Sequence, residues 1–133
     1  MLKKSNSMKQ ISTLFFLLIV VTSLSAQEST SAIVKKWKLV EVEEFGEKYA
    51  LTDAQKNDFI EFTADNKYKG LINGLAVEGS WVDKVGKYII TPSKDKSVFK
   101  TNWIRVISVD SGKLLLNYQS TDLIQTKLGY SAE

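Results

Sequence analysis

From Trp37 onward, apolar and polar residues alternate with period two in short runs, and each run ends in a turn signal. That period belongs to half-buried strands, not to helices. The first strand opens at Trp37-Lys38-Leu39 and runs to about Phe45, and the second covers Asp58 to Thr63. Lys67 to Ile72 forms a third, with Tyr68 and Ile72 on one face and Lys67 and Lys69 on the other. Asn73-Gly74 follows at once, a pair suited to the positive φ of both centres of a two-residue hairpin. Ala76 to Val82 returns antiparallel, Asp83 to Gly86 turns, and Lys87 to Thr91 ends at Pro92, the only proline. Proline cannot donate to a ladder and suits a strand end. Ser93 to Ser97 is a charged loop; strands then run from Asn102 to Val109, Lys113 to Tyr118 and Asp122 to about Tyr130.

The series makes eight strands. Thr52-Asp53-Ala54-Gln55, between the first and second, fits a capping box and predicts one short helical turn. Eight short strands in sequence are most simply an antiparallel up-and-down meander. Closing it into a barrel pairs the first strand with the last and removes both bare edges. The fold class expected is therefore all-β, an eight-stranded antiparallel barrel.

Strict alternation from Trp37 puts Glu41 and Glu43 inside and Val40 and Val42 outside, which is poor patterning for a core. A bulge after Leu39 restores it, and bulges are frequent at barrel rims.

Composition changes the picture mainly through what is missing. Cysteine and histidine are both absent, so disulfides, thiol chemistry, cysteine zinc sites and the commonest general base are excluded. The net charge of +3 suggests nucleic acid until its position is noted. Lys3, Lys4 and Lys9 precede the apolar run Leu14 to Val21, and small residues follow to Ala26. A basic segment, a short apolar segment and a small residue at the cut read as a secretory signal peptide. The run is shorter than the roughly 20 residues of a spanning helix.

We place cleavage after Ala26, with Ser25 as the alternative. No cysteine follows the apolar run to carry a lipoprotein anchor. Domain organisation is then a signal helix over 1–26, a disordered leader over 27–33 and a barrel over 34–133. Removing residues 1–26 leaves the 15 acids matched by an equal number of bases. The clustered basic excess needed for phosphate binding is gone. The mature chain is expected to be periplasmic or extracellular, with no nucleic-acid partner and no membrane anchor.

Certain residues resemble a known family: Trp37-Lys38-Leu39-Val40, then Phe62 to Tyr68, Gly79-Ser80-Trp81, Tyr88 to Thr91 and Val109 to Leu114. In that order they resemble the small secreted lipocalin-like proteins of the Bacteroidetes type, over about Val34 to Tyr130. Lys35 stands where full lipocalins have glycine two residues before the first-strand Trp. The resemblance implies a calycin-like binding module with no cofactor, and Lys127 as the basic residue packing on Trp37. Its implied ligand is small and apolar or amphipathic, held in the barrel.

The candidate lining is Trp37, Leu39, Tyr68, Ile72, Trp81, Tyr88, Ile90, Trp103, Arg105, Leu116, Tyr118 and Tyr130. Apolar walls with a few hydroxyls describe a small-molecule pocket, and they equally describe a filled core. Arg105, the only arginine, shares a face with Trp103. Facing inward it would need Glu41, Glu61 or a ligand carboxylate as partner; facing outward it leaves Ile104 and Val106 to pack inside.

Catalysis finds little support. Facing carboxylates for glycoside hydrolysis, a Gly-rich phosphate loop and a spaced-carboxylate calcium loop are not apparent in the sequence. Two functions follow: a carrier of a small ligand, or a solid barrel whose outer surface meets a protein or the cell envelope. Val40, Val42 and Leu71 are the apolar residues expected on that surface.

Overall fold

The computed structural model describes residues 31–133. The strands are β1 (Lys36–Glu44), β2 (Glu47–Tyr49), β3 (Phe59–Phe62), β4 (Lys67–Ile72), β5 (Leu75–Lys84), β6 (Lys87–Pro92), β7 (Thr101–Val109), β8 (Lys113–Ser120) and β9 (Gln125–Ala132). All pairings are antiparallel, and β1 pairs with β9 from Trp37↔Ala132 to Glu44↔Thr126. Eight strands, β1 and β3 to β9, close into a barrel. The other edge of β1 is shared: Lys36 to Lys38 pair with β3, and Val42 to Glu44 pair with β2.

The expected bulge is present. Register along β1–β9 shifts between Leu39 and Glu41. Val40 is consequently 54% exposed and Val42 only 5%. Val42 thus leaves the outer apolar set expected from the sequence. A second shift lies between Val106 and Ser108 on β7, and it turns Ile107 outward while Val109 packs on the core.

Three two-residue hairpins have positive φ at both centres: Phe45-Gly46, Asn73-Gly74 and Val85-Gly86. Asn73-Gly74 is the predicted one. Val85-Gly86 is shorter than the predicted four-residue turn, because Asp83 and Lys84 continue the β5–β6 ladder. Asp83 Oδ1 accepts the Gly86 N–H at 2.9 Å. Phe45-Gly46 creates β2, a ninth segment that sequence reading does not separate from the first strand. Phenylalanine is an unusual first centre, since left-handed backbone costs a bulky residue about 1–2 kcal/mol.

Further differences are local. The last strand begins at Gln125, not Asp122, because Ser120 closes a turn with Ile124: its hydroxyl donates to the Ile124 carbonyl and accepts the Ile124 N–H, each at 3.1 Å. The helical turn is a 3-10 turn over Asp53–Gln55, and the Gln55 side chain accepts the Thr52 N–H at 3.0 Å. The signal-peptide reading lies outside the described residues. Ile33, which sequence places in a disordered leader, is instead fully buried in the core. Its carbonyl accepts the Trp37 indole N–H at 3.0 Å.

Gly79 shows how tightly the wall is drawn. A Cβ there would sit 2.2 Å from the Thr91 carbonyl oxygen, 2.9 Å from the Tyr68 ring and 3.0 Å from Pro92 Cα. Backbone cannot yield as a flexible side chain can, so Gly79→Ala should cost about 2–3 kcal/mol. Gly86→Ala meets open space but keeps a φ of +83°, and should cost about 1 kcal/mol. Urea unfolding of the two variants checks the order; equal losses would contradict the close approach at Gly79.

Candidate functional site

The interior is the first place to look for a site, and its walls come from alternate residues of every barrel strand. Trp37, Leu39, Tyr68, Ile72, Trp81, Ile90, Leu116, Tyr118 and Tyr130 are buried, and Tyr88 is half-buried against them. The barrel brings these ten together. Rings stack through it: Phe62 lies 5.6 Å from Tyr68 and 6.3 Å from Trp81, and Trp81 lies 6.0 Å from Tyr88. Towards the other end, Phe99 meets Tyr118 edge-on at 5.1 Å. The Trp81 indole N–H donates to the Thr63 carbonyl at 3.1 Å, so both inner indoles are tied to chain at one barrel end.

A chamber able to hold a guest leaves surface on its walls that a water molecule could touch, whether the chamber is open or sealed. These walls have almost none: Trp37 and Leu116 are 0% exposed, and Leu39, Phe62, Ile72 and Leu128 are 1%. The described residues fill their own barrel. Eight strands give an interior that side chains can just fill.

Trp103 and Arg105 do not join the interior. Ile104 is buried, so its neighbours on β7 face out, and the Arg105 guanidinium stacks on the Trp103 ring at 4.1 Å. This corrects their inclusion in the lining. Burying an unpaired guanidinium would cost several kcal/mol, whereas the stack holds it in water with an aromatic partner. Val82, Ile89 and Ile107 are exposed nearby, and Ile89 pairs directly with Arg105. Lys127 pairs instead with Glu43 at 3.5 Å, and the cation beside the Trp37 ring is Lys35, 5.5 Å from its centroid.

The buried carboxylate of Asp58 was not singled out by sequence. Asp58 is 2% exposed, and its carboxylate accepts the Asn73 N–H at 2.8 Å and the Gly74 N–H at 3.0 Å. It clasps the β4–β5 hairpin, and Gln55 adds a bond to Asn73 Oδ1 at 2.9 Å. Burial pushes the Asp58 carboxyl above its ordinary range, against the two backbone donors. The Tyr68 and Tyr130 hydroxyls are buried with no hydrogen-bond partner. Burial raises both phenols, and for Tyr130 the neighbouring Asp58 carboxylate adds to it. The only sequence signal for Asp58 was an acid opening an apolar run beside a capped turn.

Outside, a groove of about 500 Å³ runs over β3 to β6. Ser80 and Thr91, paired across β5–β6, are small residues among long arms that include Glu61, Lys67, Lys69, Glu78 and Lys96. Lys69 lies 3.9 Å from Glu61. The Thr63 hydroxyl donates to Asp65 and holds its carboxyl below the usual range, so Asp65 is a poor proton donor. Among the described residues no group of three or more acidic side chains could hold a metal ion.

The fold and surface define an all-β, closed antiparallel barrel with an aromatic interior and a charged exterior. Compared with protein-family models, with curated proteins and with solved structures, the chain matches none of them.

Asp58 yields a signed test. Its carboxyl titrates higher in the folded barrel than in the unfolded chain. Its contribution to stability is therefore full below the unfolded pKa and fades as pH rises through the folded one. Wild type should lose ground to Asp58→Asn as pH rises from acid through that window, read from urea midpoints. Asp58→Ala, which strands two N–H groups, should cost about 2–4 kcal/mol. A gap between wild type and Asp58→Asn that stays constant with pH would contradict the raised carboxyl.

Proposed function

We propose that the protein is an exported, lipocalin-like barrel acting as a non-catalytic interaction module, its outer face and not its interior meeting the partner. The observation that carries this reading is how little touchable surface remains on the inner walls. The leader over residues 1–26 supports export, to the periplasm or beyond. A tryptophan stacked by an arginine, with Val82, Ile89 and Ile107 exposed around it, has the make-up of a binding hot spot. Such side chains gain most when a partner removes them from water.

One observation favours a second reading, the carriage of a small amphipathic ligand. The unpartnered Tyr68 and Tyr130 hydroxyls would gain from a polar guest if the barrel opened to admit one. A ligand seated there would touch Trp37 and Trp81 indirectly through the ring cluster and change their emission.

Titration with fatty acids and apolar probes separates the two. The interaction-module reading expects no saturable change in tryptophan emission, and a stoichiometric change that survives Trp103→Ala would overturn it. Trp103→Ala and Arg105→Ala should alter stability by no more than about 1 kcal/mol. Both should abolish capture of any envelope protein that the immobilised wild-type barrel retains; retention by both variants would also count against this reading.

A further inference from the structure

Charge is unevenly spread around the barrel. Nine of the 15 lysines and arginines beyond residue 26 fall within residues 67–113, against four of the 15 acids. The stretch from Lys84 to Val109 has six bases and a single acid, Asp95. A formally neutral chain therefore carries a basic side over β5 to β7, and its surplus of acids falls on the side of β1 to β3.

The ladders show what stands on that basic side. Lys84 pairs with Lys87 and Val82 with Ile89 across β5–β6. Ile89 pairs in turn with Arg105 on β7, and Arg105 stacks on Trp103. Ile107 lies two residues beyond Arg105 on the same outer face, so three adjacent strands present one surface with Val82, Ile89 and Ile107 exposed. Val85 crowns it, fully exposed at the hairpin tip between the two lysines. Asp83 does not belong to it. Its ladder partner is Tyr88, whose side chain packs on the core, and its carboxylate turns back to accept the Gly86 N–H at 2.9 Å.

Among the described residues, ion pairs engage Lys36, Lys48, Lys56, Lys69 and Lys127 and leave Lys84, Lys87 and Arg105 without an acid. A partner must supply the anions. The three cations are spread over three strands among aliphatic side chains, so a protein would have to place its carboxylates one by one. An anionic bilayer offers charge over a whole plane, and its interfacial zone takes up short apolar chains and an indole together. Phe45 and Leu123 are also exposed on left-handed turns, but Glu44, Glu47 and Asp122 flank them. Like charge holds those turns off an anionic surface. The Val85 turn, set between lysines, is drawn to one.

We infer that the partner of the Trp103 face is an anionic lipid surface. The β5–β7 wall lies on it with Lys84, Lys87 and Arg105 among the headgroups and Val82, Val85 and Ile89 in the interfacial zone. This rests on the reading of the Trp103 face as the docking surface and adds the chemistry of what docks there. The contact is peripheral and reversible, because its apolar residues are few.

Co-sedimentation with lipid vesicles tests it on the barrel unit Ser31–Glu133, which closes on itself through β1–β9 and lacks the apolar leader. Phosphatidylglycerol vesicles should bind it at least about tenfold more tightly than phosphatidylcholine vesicles, and high salt should weaken the binding. Trp37 and Trp81 are buried, so a blue shift of emission on binding belongs to Trp103 and should vanish in Trp103→Phe. Lys84→Glu combined with Lys87→Glu should lower binding at least about tenfold. Lys38→Glu on β1, across the barrel, should change it no more than about twofold. No binding to phosphatidylglycerol, equal binding to both lipids, or indifference to the paired lysine reversal overturns the inference. A barrel that ignores vesicles, yet loses a captured envelope protein on Trp103→Ala, also overturns it, while the outer-face reading stands with a protein as partner. Vesicle binding left intact by both Trp103→Ala and Arg105→Ala overturns the two together.

Discussion

Closure of the barrel depends on β1 satisfying both of its edges at once. One edge meets β9 along nearly its whole length, and the other is divided between β3 and β2. The strand must also keep apolar side chains inward while its sequence changes phase after Leu39. The bulge at Val40 reconciles these demands, because one extra residue reverses the facing of everything after it. Without it Glu41 and Glu43 would enter an interior holding Trp37, Leu39 and Tyr130. Gly129 shows the fit at the same place, with Glu41 Cβ 3.2 Å from where a side chain would begin.

From that closure comes a core built of rings. Trp37, Phe62, Tyr68, Trp81, Tyr118 and Tyr130 are large, and in a barrel of eight strands they leave their neighbours no room to withdraw. The outer faces carry lysine and glutamate, the reverse of a barrel that lies in lipid, whose outer band is apolar. With the centre occupied, chemistry is left to the exterior. There the Trp103–Arg105 stack, the hydroxyl-floored groove and the apolar turn tips occupy different parts of the wall and rim.

Much of this fold was legible in the sequence because the relevant signals are local. Asn73-Gly74 announces a tight hairpin, Pro92 ends a strand, and the misplaced pair Glu41 and Glu43 betrays a bulge. Phe45-Gly46 escaped detection because a phenylalanine at the first turn centre reads as one more strand residue. Ile33 and Phe99 were hidden for another reason: each lies in a polar stretch and enters the core by tertiary contact, Ile33 through the Trp37 indole and Phe99 against Tyr118. The facing of Arg105 was undetermined, since alternation on β7 fits either face and only the burial of Ile104 decides it. Asp58 escaped as a site residue because its partners, the amides of Asn73 and Gly74, are far along the chain.

The filled interior is the central claim, and xenon binding measures it most directly. Xenon enters apolar voids too small or too dry for other guests. Crystals of the protein held under xenon pressure should show no bound atom among Trp37, Leu116 and Tyr130. A well-occupied xenon site at that position would contradict the account.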